Sequence, residues 1–427
     1  MRKIPSLKTY FDEIEETNGD DECRAWLNKA FDAKVELATF YVGFLKGSFN
    51  FSFRFKFDDG GPDAIIRFPK PGHTATALRD EKVANEVQVM EYLSQNTTIP
   101  VPRVHSWGFT SESPQQFGPF IIMDYVEGTL MSTVLKQPME SNQEDMVLDP
   151  SIDNSMLNKI YRQIADYLVQ LSQLTFTHIG AISKDGKMWS VTKRPLTYNM
   201  NELATVAGYP SDLFPSSTFD RASAYLKSVA HKHLAHLWTQ RNLADNSDIA
   251  QARFITRHRF VQLIPKYCID DAGPFIPFCD DLRPSKMLVH PETLQITAVL
   301  DFEFTNAMPA QFTYDPPWWL LLSGPEVWLD RGSIDEFRDR YEPRMEQFLQ
   351  AMELVEGMSG RFWFNYAAKK SFELDAIYWA ALHDGGGIEL LDDETHAEME
   401  PFIEKKMEQL RAYKEECAAR FSKQADE

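Results

Sequence analysis

Hydrophobic and polar positions alternate most cleanly between residues 49 and 57, where Phe49, Phe51, Phe53, Phe55 and Phe57 are separated by Asn50, Ser52, Arg54 and Lys56. A period of two predicts a half-buried strand with the phenyl rings on one face. A turn at Asp58-Asp59-Gly60-Gly61 comes next, and Ala64 to Phe68 returns as the next strand. Residues 6–38 carry a helical pattern, acidic at the front, with Trp26, Leu27 and Phe31 on one side. Glu81 to Gln95 reads as a helix with a buried stripe of Val83, Val87, Met90 and Leu93, ended by Asn96 and the Thr-Thr-Ile-Pro-Val-Pro run. Pro119 to Met123 is a buried strand running into a turn at Glu127-Gly128. Asn154 to Leu174 places Leu157, Ile160, Ile164, Leu168 and Leu171 at helical spacing, and residues 334–356 and 396–422 form charged amphipathic helices. Residues 137–153 are polar and acidic, as in a surface loop.

Phe278 to Glu303 has a different pattern. Met287 to His290 is a short apolar run, Pro291-Glu292-Thr293 is turn-like, and Ile296 to Leu300 is a second, β-branched run. The predicted hairpin brings the residues before its first strand beside the residues after its second. Asp281 lies just before the first strand and Asp301 just after the second. Two carboxylates on loops at strand ends are placed to hold a cation or take a proton, although each alone also reads as an exposed turn residue. Gly43 and Gly47, ahead of Ser48 and Asn50, allow a close approach of backbone N–H groups to phosphate; turn chemistry alone is the simpler account of them.

Composition is that of an ordinary globular protein, and the length allows two or three domains. The net charge of -19 argues against nucleic acid or an anionic membrane as partner. No apolar run approaches the length of a membrane span, and Met1-Arg2-Lys3-Ile4-Pro5 leads into polar residues instead of a signal sequence. Cys23, Cys268, Cys279 and Cys417 share no metal-ligand spacing, which predicts reduced thiols and a cytoplasmic location.

Asp281-Leu282-x-Pro284-Ser285-x-x-Leu288-Val289, with Asp301-Phe302-Glu303 twenty residues after Asp281, resembles the catalytic and metal-binding loops of the aminoglycoside phosphotransferase family, within the protein-kinase-like superfamily. Tyr314-Asp315-Pro316-Pro317-Trp318-Trp319-Leu320 resembles a fungal-type branch of that family. The likeness runs from about residue 40 to 385. Two positions depart from it: Cys279 stands where most members carry His, and Lys286 where they carry the second metal ligand, Asn.

The resemblance implies an α+β, two-lobed kinase-like fold, with a five-stranded antiparallel sheet and a helix in the small lobe and a larger, mainly helical lobe. It divides the chain into an N-terminal helical extension (1–38), a nucleotide-binding lobe (39–127) and a helical lobe (128–427) containing an acceptor-site insertion (183–265) and the C-terminal helices. Asp281 matches the catalytic Asp and Asp301 the Mg²⁺ ligand. The loop with Gly47, Ser48 and Asn50 covers the nucleotide, Arg67 replaces the phosphate-binding Lys, Glu86 is its helix partner, and Asp124, Tyr125 and Val126 form the adenine-binding hinge. Trp318 and Trp319 read as packing between helices or as a wall of an acceptor pocket.

The implied activity is transfer of the ATP γ-phosphoryl group to a hydroxyl of a small-molecule acceptor. Two alternatives stay open: a kinase-fold nucleotide binder that has lost turnover, marked by Lys286, or a kinase-fold enzyme with another reaction. Lys286 has no acceptor atom and cannot ligate Mg²⁺ as Asn would; either the hairpin sets its ammonium beside Asp301 and Asp281 in place of one metal charge, or it swings out to solvent on its flexible stem and leaves the site damaged. The acceptor and the oligomeric state are not legible.

Overall fold

The structure, a computed structural model, describes residues 39–57, 61–113, 116–138, 146–352, 359–386 and 388–422. The helical pattern of residues 6–38, most of the 58–61 turn and part of the 137–153 loop lie outside the described residues. The chain divides into two compact units. The first comprises residues up to Thr175, Gly180–Thr197 and Pro277–Ala307; the second comprises Phe176–Ile179, Tyr198–Ile276 and the residues from Met308 onward.

The first unit is built on an antiparallel sheet with strand order β1-β2-β3-β5-β4, formed by β1 (Thr39–Lys46), β2 (Asn50–Phe57), β3 (Ala64–Pro69), β4 (Val104–Gly108) and β5 (Phe120–Asp124). Register pairs Phe51 with Phe68 and Phe53 with Ile66, so the phenyl ladder meets apolar partners on one face. Phe51 stacks on Phe68 at 5.2 Å, and Phe117 and Phe120 close the cluster. Each fully buried Phe contributes about 1.5–3 kcal/mol. The other face of β2 carries Asn50, Ser52 and Arg54, and Ser52 is buried too, opposite Arg67. The alternation therefore separates an aromatic core from a polar face that runs from buried Ser52 and half-buried Asn50 and Arg54 to exposed Lys56.

Helix α1 (Arg79–Asn96) exceeds its predicted span by two residues at the front and one at the end. Asp80 and Glu81 favour the positive N-terminal end, and Thr97 closes the other end through bonds from its N–H and Oγ1 to the Leu93 carbonyl. The predicted stripe of Val83, Val87, Met90 and Leu93 is buried, and so are Lys82, Asn85 and Glu86. The outer side of α1 is covered by the hairpin of β7 (Ala181–Asp185) and β8 (Met188–Lys193), held by ion pairs from Lys184 to Glu91 and Arg194 to Glu81. The two-residue strand β6 (Thr129–Leu130) precedes this hairpin in the chain.

In the second unit, α3 (Ala222–Thr239), α4 (Ser247–Tyr267), α5 (Ile334–Met352), α6 (Gly360–Lys369) and α7 (Asp393–Ser422) carry most of the mass; α2 (Asn154–Ser172) belongs to the first. Trp319 is buried, as expected of a packing residue, while Trp318 lies beneath the Lys370 ammonium at 5.8 Å. No described helix is long and apolar enough to cross a membrane.

Candidate functional site

The predicted hairpin is present as β9 (Met287–Val289) and β10 (Ile296–Val299), with Met287 opposite Val299. The Leu300 N–H donates to the Lys286 carbonyl at 2.8 Å, which closes the ladder beyond its last pair and sets residues 281–286 against Asp301. Two supports hold the hairpin. Its first strand pairs with β6, and Gln163 of α2 bonds the Leu294 carbonyl and the Ile296 N–H at 3.0 and 2.9 Å.

Directly after β10 the backbone of Asp301 adopts φ +67°, a left-handed conformation that Asp tolerates better than most residues. The turn aims its carboxylate at two cations. Oδ1 lies 3.3 Å from Arg67 Nη1, and Oδ2 pairs with Lys286 Nζ. The same ammonium lies 3.3 Å from Asp281 Oδ2, so one lysine bridges the two predicted carboxylates. Asp281 Oδ1 pairs with Arg283 Nε at 2.5 Å. Behind Arg67, Glu86 of α1 pairs with Nη2 at 2.5 Å; Glu86 is 1% exposed, and among the described residues neither of its oxygens has a well-directed hydrogen bond.

Burial opposes every charge here, and the partners decide the outcome. For Asp301, burial would raise the carboxyl pKa, but Lys286, Arg67 and Lys82 together hold it below its ordinary value. For Lys286, burial acts to lower the ammonium and is overcome by Asp301 and Asp281, which raise it. Asp281 goes the other way: burial outweighs Arg283 and Lys286, and its carboxyl is shifted up. Burial also pushes Glu303 up to about 7, with repulsion from Asp301 adding to it and Lys82 opposing it. The Cys279 thiol, at the family's His position, is buried and raised to about 12, a neutral group that packs and does not titrate near neutrality.

A cavity of about 290 Å³ adjoins these groups. One part of its wall is apolar, from Leu45, Ile65, Met90, Pro102, Met123 and Leu300; the other is polar, from Asn50, Ser52, Arg67, Arg283, Lys286 and Asp301. Gly47 and Ser48, in the turn between β1 and β2, line it as well. The Gly47 N–H donates to the Asn50 carbonyl at 2.9 Å, and a Cβ at Gly47 would stand only 3.3 Å from that oxygen. The size is at the low end of the roughly 300–1,000 Å³ range of small-molecule sites.

The structure thus brings Gly47, Ser48, Asn50, Arg67, Lys286 and Asp301 to one cavity, with Glu86 behind Arg67 and Asp281 across Lys286. Asp124, Tyr125 and Val126 do not line it. The Asp124 and Tyr125 N–H groups donate to the Arg103 and Asp63 carbonyls, and the Asp124 carboxylate binds His105 at 2.6 Å. The Tyr125 ring lies 3.7 Å from the Arg54 guanidinium. Met123, one residue earlier, is the part of β5 in the wall.

Four residues absent from the sequence-based set join the cluster. Lys82 pairs with Glu303, both buried; Arg283 holds Asp281; and Ser285 places a buried hydroxyl at the cavity with no hydrogen-bond partner among the described residues. Lys82 lies four residues before Glu86, a spacing that puts both on one helix face and was a usable signal. Glu86, Asp301 and Glu303 present carboxylate oxygens within 4.8 Å of one another, a hard-oxygen set that suits Mg²⁺. Those oxygens are shared with Arg67, Lys286 and Lys82.

A family model described as the phosphotransferase enzyme family matches residues 44–351. The protein named altered inheritance of mitochondria protein 9, mitochondrial, of Kluyveromyces lactis is 29% identical over 118 residues, 26% of this chain and 18% of that protein. Its counterpart in Meyerozyma guilliermondii is 25% identical over 146 residues, 34% of this chain and 21% of that protein. The match therefore spans about a fifth of these curated relatives. Similar solved structures include a Plasmodium vivax ethanolamine kinase (13% identity, TM-score 0.40, 96% of this chain and 95% of that one). Another is the aminoglycoside phosphotransferase of Streptomyces rimosus with ADP and streptomycin (15% identity, TM-score 0.40, 83% and 98%). The relatives correct one expectation. Their names place them in mitochondria, against the cytoplasmic location expected here. Scattered free cysteines exclude only an oxidising compartment, and so could not separate cytosol from mitochondrion.

Proposed function

Since the chain belongs to the phosphotransferase enzyme family, we propose that it transfers the γ-phosphoryl group of ATP to a hydroxyl of a small molecule. The observation that carries this reading is the shared cation: Lys286 joins Asp281 to Asp301 at a cavity that also exposes Arg67 and the Gly47–Asn50 turn. In the reaction the bond between the γ-phosphorus and the β,γ-bridging oxygen breaks and one to the acceptor oxygen forms. The acceptor proton passes to Asp281 and ADP leaves. Burial raises the Asp281 carboxyl, which makes it a better proton acceptor than an exposed Asp. Arg67, held by Glu86, grips phosphate oxygens, and Lys286 supplies fixed positive charge next to them. Mg²⁺, held by Asp301, would add charge neutralisation at the phosphates.

A second reading is favoured by one observation: Arg67 and Lys286 between them occupy both oxygens of Asp301. On it the protein holds nucleotide without turning it over. Incubating the protein with MgATP and a small-metabolite extract, then applying mass spectrometry, separates the two. A product heavier by one phosphoryl group, absent with Asp281→Asn, supports transfer. A thermal shift with MgATP and no such product supports the binder, and neither a shift nor a product removes both.

A further inference from the structure

We propose that Lys82 is a positioning residue that latches the phosphate-covering turn to helix α1 and to the segment after Asp301, by way of Asn50 and Glu303; this rests on the nucleotide reading of the cavity. Three polar side chains from distant parts of the chain form a closed ring. Lys82 pairs with Glu303, Lys82 Nζ lies 3.5 Å from Asn50 Oδ1, and Asn50 Nδ2 donates to Glu303 Oε2 at 3.3 Å. The Asn50 amide is oriented by this arrangement. Its oxygen faces the ammonium and its NH₂ faces the carboxylate, and the flipped amide would set donor against donor and acceptor against acceptor.

The location gives the ring its consequence. Asn50 ends the β1–β2 turn, and its own carbonyl accepts the Gly47 N–H at 2.9 Å, so the fixed amide side chain also fixes the turn. Glu303 lies two residues after Asp301, and Phe304 places its ring 5.5 Å from the Lys82 ammonium. Lys82 and Glu303 are 1% and 4% exposed, so neither can exchange its partner for water. Helix α1 then reaches the Asp301 segment at two points of opposite polarity one turn apart: Glu86 through Arg67, and Lys82 through Glu303. One such contact leaves a helix free to roll about it, whereas two fix both rotation and height. A buried ion pair is a weak source of stability beside an apolar pair of the same volume, so its effect here is on register.

The test uses the full chain with a neutralised pair, Lys82→Met/Glu303→Gln, which leaves no buried charge unpaired. Affinity is measured for MgATP and for adenosine, and amide hydrogen exchange is monitored at residues 47–50 without nucleotide. The latch predicts a near wild-type Tm, faster exchange at the turn, and MgATP affinity weaker by roughly tenfold or more with adenosine unchanged, as for one lost hydrogen bond to a charged group. Asn50→Ala should give a similar loss, and adding it to the neutral pair should cost little more. Lys82→Arg, which keeps the cation, should recover most of the affinity.

Unchanged exchange at the turn overturns the proposal, as does a strictly additive Asn50→Ala effect. Wild-type protein that binds no MgATP would instead overturn the nucleotide reading, and the exchange measurement would still decide the latch. If the neutral pair unfolds, the exchange comparison passes to Asn50→Ala alone, where protection at Gly47 equal to wild type overturns the proposal.

Discussion

Arg257 in the second unit, fully buried, and Arg67 in the first, partly buried, are both guanidinium groups facing acids in the interior, and they are used in opposite ways. Arg257 is 0% exposed and closed on every side. Nε and Nη2 reach the two Asp375 oxygens at 3.3 and 3.0 Å, Nη1 reaches the His233 carbonyl at 2.9 Å and His236 Nδ1 at 3.0 Å, and Nη2 also meets the Ser371 carbonyl at 3.3 Å. Arg67 shares two carboxylates, one of them on a left-handed backbone, and forms part of a cavity wall. Burial of charge therefore does not by itself identify a site. The marks of a site are a charge cluster open on one side, a carboxylate whose partners are cations a ligand can displace, and backbone strain beside it.

The largest effect is expected in the closed cluster. Arg257→Ala leaves Asp375 with the longer 3.5 Å pairing to Arg253 and removes a brace between α3, α4 and the Ser371 backbone, which should cost about 3 kcal/mol of stability. MgATP affinity of the molecules that remain folded should not change. Urea unfolding together with calorimetric titration checks both. A variant with wild-type stability and lost nucleotide binding would erase the distinction between the clusters.

In the open cluster the effect should fall on chemistry. Asp281→Asn keeps shape and loses the proton acceptor, so any phosphoryl transfer should drop at least ~100-fold while MgATP affinity stays near wild type. Single-turnover kinetics beside equilibrium titration make the separation. Wild-type turnover in this variant would remove Asp281 from the reaction.

The sheet, helix α1 and the hairpin were legible because local periodicity and turn residues agree with the tertiary environment: Phe51, Phe53, Phe55 and Phe57 are buried as alternation requires. The Asp281–Lys286–Asp301 triad was legible because a hairpin fixes which residues meet. Lys82 was legible only as sharing a helix face with Glu86; a lone Lys on a helix normally reaches solvent, and its burial rests on Glu303, Asn50 and Phe304, which no local pattern joins to it. Asn50 entered as part of a glycine turn. Its side-chain role depends on Glu303, at a sequence separation no periodicity reports. The hinge expectation named residues 124–126; of β5 it is Met123 that stands in the cavity wall, and the Asp124 and Tyr125 N–H groups donate to Arg103 and Asp63.

A smaller effect tests whether Lys286 is a working cation. It contacts both Asp281 and Asp301, so it fills the space between them with positive charge. Lys286→Asn removes that charge and offers a carbonyl oxygen that Mg²⁺ can use. The expected result is a roughly tenfold higher Mg²⁺ requirement for ATP binding, the change tied to about 1.4 kcal/mol, with little or no gain in turnover. Activity that rises from near zero in the variant would show a decayed site instead of a substituted one.

The smallest effect is in pH dependence, where the two clusters should act with opposite signs. Burial, aided by Arg257, lowers the His236 pKa to about 3 and puts His233 well below its ordinary value. Their unfolded values lie near 6.5, so between about 6.5 and 3 the unfolded chain binds more protons and stability falls as pH falls. Glu303 is raised from about 4.5 to about 7 by burial and Asp301, so its contribution is full below about 4.5 and is lost as pH rises through 7. On acidification from pH 7 to 5 the histidines destabilise while Glu303 offsets part of the loss, each by at most about 1.4 kcal/mol per pH unit. Glu303→Gln cannot take up a proton and removes the offset. Its Tm should therefore fall more steeply than that of wild type over this interval in a pH series of thermal melts. Parallel Tm profiles for the two proteins would mean that Glu303 does not titrate in the folded chain, and that the open cluster is electrostatically as closed as the one around Arg257.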